Sequence, residues 1–243
     1  MTPPLSPARA PAPATPVVMF LTGPAGCGKT TLAEAWVRHQ IRHGQPWTLL
    51  DKDLVGGLHG QRLLELLGAD PKDRDSPLFK KEVRHLDYAA TLQVAAAQLA
   101  LGGSVILPGP WTQELVEGLL ADPVRIGLPP VPSVVAWLSI SDATRRQRIV
   151  ERGHPLDAWK LAHWEFYSKG SRNGEPPPCR GPAPDVIAAE LPLAAQMEAL
   201  ARLVEARRHG DVPQAPAPKH GGQLARTGGW GLPSPQPSDR QRL

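Results

Sequence analysis

Residues 23–30 read Gly23-Pro24-Ala25-Gly26-Cys27-Gly28-Lys29-Thr30. This is the spacing G-x-x-x-x-G-K-[ST], in which each fixed position has a physical role. Glycine at 23, 26 and 28 opens backbone angles that a side chain closes. A loop of that kind turns successive N–H groups inward around phosphate oxygens. Lys29 brings a compact positive charge to the β- and γ-phosphates. The Thr30 hydroxyl stands where it can ligate Mg²⁺. Pro24, Ala25 and Cys27 span the loop and Thr31 follows it, so 23–31 is the candidate nucleotide-binding segment.

The flanks narrow the fold. Val17-Val18-Met19-Phe20-Leu21 is an apolar run of strand length, as a buried parallel strand requires. After Thr30 the period becomes helical, with Ala33, Val37 and Ile41 four apart. A strand, a glycine loop and a helix form the context the motif needs. The helix N-terminus adds partial positive charge at the same point.

The remaining punctuation continues an alternation of strands and helices. We expect strands at 47–50, 104–107, 134–140 and 185–189. Helices are expected at 59–68, 79–101, 112–121, from Ser141 or Asp142 to Arg152, from Asp157 to Tyr167, and at 193–208. Such alternation implies right-handed crossovers and a parallel sheet covered on both faces. The expected fold is α/β, a three-layer αβα sandwich of about five parallel strands.

The chain is 243 residues long. Residues 1–16 are Pro/Ala-rich and 210–243 Pro/Gly-rich without apolar periodicity, so both read as disordered tails around one domain at 17–209. Lysine and arginine number 27 against 23 acidic residues, a net charge of +4. This modest excess lacks the dense basic block of a nucleic-acid arm. Cys27 and Cys179 are the only cysteines, too few for a disulfide framework or metal cluster. No apolar run approaches membrane-spanning length and no secretory h-region follows Arg9, so the expected location is the cytoplasm.

Ligands of open parallel sheets bind beyond the carboxyl ends of the strands. The loop at 23–30, the Asp51/Asp53 pair and the turn at 108–111 all follow strand ends, so we expect them on one edge. If Asp51 and Asp53 continue the second strand, both carboxylates face one side. One then holds Mg²⁺ or its water, and the other accepts a proton from an attacking hydroxyl; the plain alternative is a solvated turn. Arg145, Arg148 and Arg152 recur on one helix face, with Ile149 and Val150 toward the core. They read either as a clamp on nucleotide phosphates or as a solvated stripe. Arg152 precedes Gly153-His154-Pro155, a break that suits the hinge of a lid over about 145–170. Trp159, His163 and Tyr167 share helical spacing, either as a packing stripe or as a base-stacking platform. Arg74, Arg84 and Tyr88 are candidates for an acceptor pocket, with a surface Arg–Tyr stack as the alternative.

These residues resemble a family. The loop at 23–30, Asp51-x-Asp53, and Ser139-x-Ser141-x-x-Thr144 leading to Arg148 and Arg152 look like small P-loop kinases of the shikimate, gluconate, zeta-toxin and polynucleotide-kinase type, grouped as an AAA-like ATP-binding family. The stretches 73–77 and 152–161 resemble bacterial AAA family ATPases. The resemblance covers about residues 17–207. It implies ATP and Mg²⁺ as cofactors, with Lys29, Thr30 and Arg148 on the nucleotide and Asp51 with Thr30 on the metal. Catalytic roles fall to Lys29, Asp53 as base or acceptor-orienting residue, and Arg152 as the lid arginine. One position departs from the pattern. Relatives carry an acid at the end of the third strand, where this chain runs Val105-Ile106-Leu107 into Pro108-Gly109-Pro110. Asp51 is then the carboxylate left to support the metal.

The expectation is a Mg²⁺-ATP-dependent kinase acting on a small hydroxylated acceptor. The alternative is a nucleotide-binding switch or weak ATPase working through a protein partner, with the Pro-rich tails as interaction segments. A 5′-hydroxyl polynucleotide kinase is a third reading, against which the weak basic balance argues.

Overall fold

The structure, a computed structural model, describes residues 14–210 apart from 75, 155–156 and 170–173. Most of the two Pro-rich tails, Asp75 and Pro155-Leu156 of the family-like stretches, and part of the loop after Tyr167 lie outside the described residues.

The first apolar run forms β1 (Val18–Thr22), buried at every position. Alternate side chains enter opposite layers. Met19 and Leu21 join Leu32, Ala33 and Trp36 of α1 (Lys29–Arg42) and Leu200 and Val204 of α10 (Leu193–Arg208). Val18 and Phe20 join Tyr88, Ala95 and Leu99 of α5 (Arg84–Ala100). A strand covered on both faces has no solvated side, which is why this run is apolar throughout.

The other strands are β2 (Trp47–Leu49), β3 (Ser104–Pro108), β4 (Ser133–Ser139) and β5 (Asp185–Ala188). Among the described residues the sheet has the order β2-β3-β1-β4-β5, and every pairing is parallel. The expected three-layer αβα sandwich is the observed architecture. The crossover after β1 runs to the β2 edge, whereas the one after β3 passes to β4 on the other side of β1. The crevice at such a reversal opens beyond the carboxyl end of the central strand, where the glycine loop begins.

Several elements differ from expectation. Asp51 and Asp53 are not strand residues: β2 stops at Leu49, and Asp51 caps a short helix α2 (Lys52–Val55). The next helix, α3, covers Gly57–Leu66. The helix expected over 79–101 is two pieces, α4 (Pro77–Glu82) and α5, joined at Val83. Val83 is fully buried in a small cluster with Leu64 and Phe79, and this packing turns the chain there. The helix expected over 112–121 stops early as α6 (Thr112–Val116), because Gly118 takes a positive φ of 68° against Gly181. After β4, Ser141 caps α7 (Asp142–Arg152). The following helix divides at His163 into α8 (Ala158–Ala162) and α9 (Trp164–Lys169).

Candidate functional site

The glycine loop connects β1 to α1 and is moulded by steric limits. Gly23 has φ 133°, and a Cβ there would lie 2.8 Å from the Leu138 carbonyl oxygen. Gly26 has φ 84°, and a Cβ there would lie 2.7 Å from Ile149 Cγ1. Gly28, also left-handed, is the residue before α1 and brings no side-chain cap. The first N–H groups of α1 therefore face the loop with no capping side chain, the arrangement that suits an anion. Lys29 Nζ donates to the carbonyl oxygens of Gly23 and Pro24, 2.8 Å each. Cys27 is a free, buried thiol beneath the loop.

Beyond the loop lies a cleft of about 1350 Å³. Its loop wall includes Gly23, Pro24, Ala25, Gly26 and Gly28 together with Lys29, Thr30 and Thr31. Asp51, Asp53 and the 108–110 turn line the same space, so the three strand-end segments gather on one edge. Arg74, Arg84, Tyr88 and Arg152 are also on its walls. Arg148 is not among the lining residues. Its guanidinium donates to the carbonyls of Cys27 and Ala189 at 3.5 and 3.0 Å, tying the loop to the connection after β5.

Asp51 and Asp53 reach the cleft by a different route from strand alternation. The Asp51 carboxylate accepts the Asp53 N–H at 2.9 Å, and the Thr30 hydroxyl donates to its other oxygen at 3.4 Å. Burial raises the Asp51 pKa above the usual carboxylate value, and the Asp53 N–H partly offsets this. Asp53 is exposed and paired with Lys52 Nζ at 2.6 Å. Thr30 and Asp51 together are a hydroxyl and a carboxylate, the sparse protein donor set that Mg²⁺ accepts when phosphates and water supply the rest. Among the described residues no group of three or more His, Cys, Asp or Glu is placed to hold a metal ion.

Two of the arginines that line the cleft are held by partners of their own. Arg74 is bonded to Asp87 at 3.1 Å and to the Gly57 carbonyl at 3.2 Å, with its guanidinium carbon 5.2 Å from the centre of the Phe79 ring. Asp87 is buried, which raises its pKa against the pull of Arg74. Arg84 pairs with Glu114 at 3.1 Å and lies 4.1 Å above the Tyr88 ring. Burial pushes the Tyr88 phenol well above its ordinary range. Tyr88 meets Trp111 edge-on at 4.6 Å. Trp111 itself is fully buried at φ 43°, with Nε1 on the Leu107 carbonyl at 3.1 Å. A left-handed bulky residue is strained and persists only where its surroundings over-determine it. Here it closes the 108–110 turn at the end of β3.

The three arginines of α7 have different surroundings. Arg145 is fully buried, Arg148 lies on backbone carbonyls, and the Arg152 side chain is about half exposed (51%) and paired with Asp157. Val150, expected in the core with Ile149, is exposed. Asp157, not a simple helix cap, is buried between Arg152 and Lys160. Trp164 and Tyr167 pack against Arg145, and the Trp159 side chain lies outside the described residues. Asp87, Glu114, Asp157 and Trp111 were not legible as site residues. Their partners lie 13, 30, 5 and 4 positions away, and no local motif marks such contacts.

No curated protein matches this chain. Among solved structures, a protein from Chloroflexus aurantiacus J-10-fl is 18% identical with a TM-score of 0.54, covering 80% of this chain and 98% of its own. APE1195 is 22% identical with a TM-score of 0.52, covering 80% and 97%. A sugar kinase from Janibacter sp. HTCC2649 is 16% identical with a TM-score of 0.51, covering 79% and 95%. These likenesses establish a shared fold, the P-loop α/β sandwich. The AAA domain family matches residues 18–166, which include the glycine loop, Asp51 and Asp53, most of the cleft lining and most of the α7–α9 segment, and the chain belongs to that family.

Proposed function

We propose that this chain is a Mg²⁺-ATP-dependent phosphotransferase that moves the γ-phosphate to a hydroxyl of a small acceptor. The observation that carries the reading is a large cleft lined both by the glycine loop and by Asp53, Arg74, Arg84 and Tyr88. A hydrolase needs room for nucleotide and water; this cleft extends well past the loop. The shared fold of a sugar kinase agrees with an acceptor of that size.

The positive-φ glycines leave a cradle that a Cβ would fill, and this fits a phosphate chain. Thr30 and Asp51 fit a single Mg²⁺, which when bound would neutralise phosphate charge. Lys29 leaves the Gly23 and Pro24 carbonyls to meet phosphate oxygens. Asp53, released from Lys52, accepts the acceptor's hydroxyl proton, and Lys52 then stands beside the transferring oxygens. Arg152 supplies charge from the α7–α9 segment, read as a lid. Little covalent chemistry is asked of the protein, so positioning and charge carry the rate.

Pro108 supports a second reading. It stands where relatives place an acid, at the end of β3 and in register with Leu21. On that reading the chain is a slow ATPase or switch that acts through a protein partner. Stimulation of ADP release separates the two. A kinase releases ADP faster when a pool of small hydroxylated metabolites is added. A switch shows slow, acceptor-independent release at normal ATP affinity. Asp53→Asn should lower acceptor-stimulated release by about 10²–10⁴-fold, and full activity in that variant removes Asp53 as the base.

A further inference from the structure

Arg145 is fully buried, yet none of its three guanidinium nitrogens has a hydrogen-bond partner among the described residues. Asp142 Oδ1 lies 3.0 Å from Nη2, an ion pair without the alignment of a hydrogen bond. The guanidinium carbon lies 4.8 Å from the centre of the Trp164 ring and 5.4 Å from that of Tyr167, both on α9. The stem of the side chain runs past the glycine loop, where a Cβ on Gly26 would lie 3.1 Å from Arg145 Cγ. Arg145 also forms part of the cleft wall.

Aromatic rings attract the face of a guanidinium but leave its in-plane N–H donors unmet. A buried charge that lacks hydrogen bonds disfavours folding, and a well-packed apolar side chain at the same place is often better tolerated. Helix α7 has such a face here, since Ile149, one turn on, is also fully buried. The Asp142 ion pair and the two ring contacts therefore leave the in-plane donors of Arg145 unmet. Buried donors without hydrogen bonds, on a residue that lines the cleft beside a phosphate-type loop, call for a further anionic partner.

We propose that Arg145 binds oxygens of the phosphate chain of a nucleotide seated on residues 23–30, with Trp164 and Tyr167 clasping the guanidinium plane. This rests on the nucleotide reading above and adds a contact that the loop motif does not contain. It also couples α9 to the ligand, because the clasp and the phosphates share one side chain.

The test is titration of the full chain with Mg²⁺-ATP, pyrophosphate and adenosine, for wild type, Arg145→Met and Arg145→Lys. Arg145→Met should melt, without ligand, at or above the wild-type temperature. It should bind Mg²⁺-ATP and pyrophosphate at least about tenfold more weakly, with adenosine unchanged. Arg145→Lys keeps the charge but loses the fork, and should fall between the two. Trp164 emission should respond to pyrophosphate in wild type and not in Arg145→Met. If Arg145→Met binds Mg²⁺-ATP and pyrophosphate as wild type does, the inference is overturned. If that variant does not fold, unchanged pyrophosphate affinity in Arg145→Lys overturns it instead. A wild-type chain that binds neither probe overturns the nucleotide reading and this inference together.

Discussion

Gly26 shows how tightly single residues are specified at this site. Its φ of 84° and the 2.7 Å approach of Ile149 to a Cβ position both exclude a side chain. Gly26→Ala should destabilise the fold by about 1–3 kcal/mol and weaken nucleotide binding; thermal melts with and without ATP read both. Asp51 carries a linked pH effect. Burial raises its folded pKa above the unfolded value, so the ionised form is disfavoured by folding. Its relative stabilising contribution is present below the unfolded pKa and is lost as pH rises through the folded one. At pH 7 Asp51→Asn should therefore melt no lower than wild type, and it should lose Mg²⁺-dependence in ATP titrations. Lys29 and Thr30 were legible because a phosphate loop constrains residue type at fixed spacing. Asp87 was not, because its role is set by contacts that only the folded chain supplies; Arg145 was legible as one of the α7 arginines, but its complete burial was not.

At the scale of elements, strands read more truly than helices. An apolar run bounded by glycine and proline has little freedom, and β1 to β5 differ from expectation by no more than one residue at either end. Helices divided wherever tertiary contacts outweighed periodicity. Val83 turns the chain into the cluster with Phe79, and Gly118 turns it against Gly181. The same limit affected Asp51 and Asp53. Their side-by-side placement comes from an Asx cap on α2, not from strand alternation. The α7–α8 junction depends on Asp157, a buried carboxylate shared by Arg152 and Lys160. Asp157→Asn should lower stability by about 1–3 kcal/mol and speed amide exchange across α7 and α8. Exchange rates equal to wild type would mean that the junction is held by other contacts.

For the whole molecule, the described residues between 14 and 210 supply a five-stranded sheet with an apolar layer on each face. We propose that the segments outside them act, if at all, through other proteins. A chain of residues 14–210 should melt within a few degrees of the full chain and bind ATP equally; a large loss in either would place fold-bearing contacts in the tails. Among the described residues no helix is long and apolar enough to cross a membrane. The order of elements along the sheet was legible because alternation and a glycine loop leave few topologies. Arg74, Arg84 and Tyr88 were legible as a candidate set, but their orientation was not, because Asp87 and Glu114 hold Arg74 and Arg84 from distant parts of the chain.

Phosphoryl transfer is most directly tested by incubating the protein with γ-labelled ATP, Mg²⁺ and a pool of small hydroxylated metabolites, then identifying labelled products by mass spectrometry. Wild type should yield a labelled phosphoester that disappears with Lys29→Ala and with Asp53→Asn. Asp53→Asn should still bind ATP. Label released only as inorganic phosphate, at the same slow rate with and without the pool, would contradict a kinase and leave the ATPase or switch.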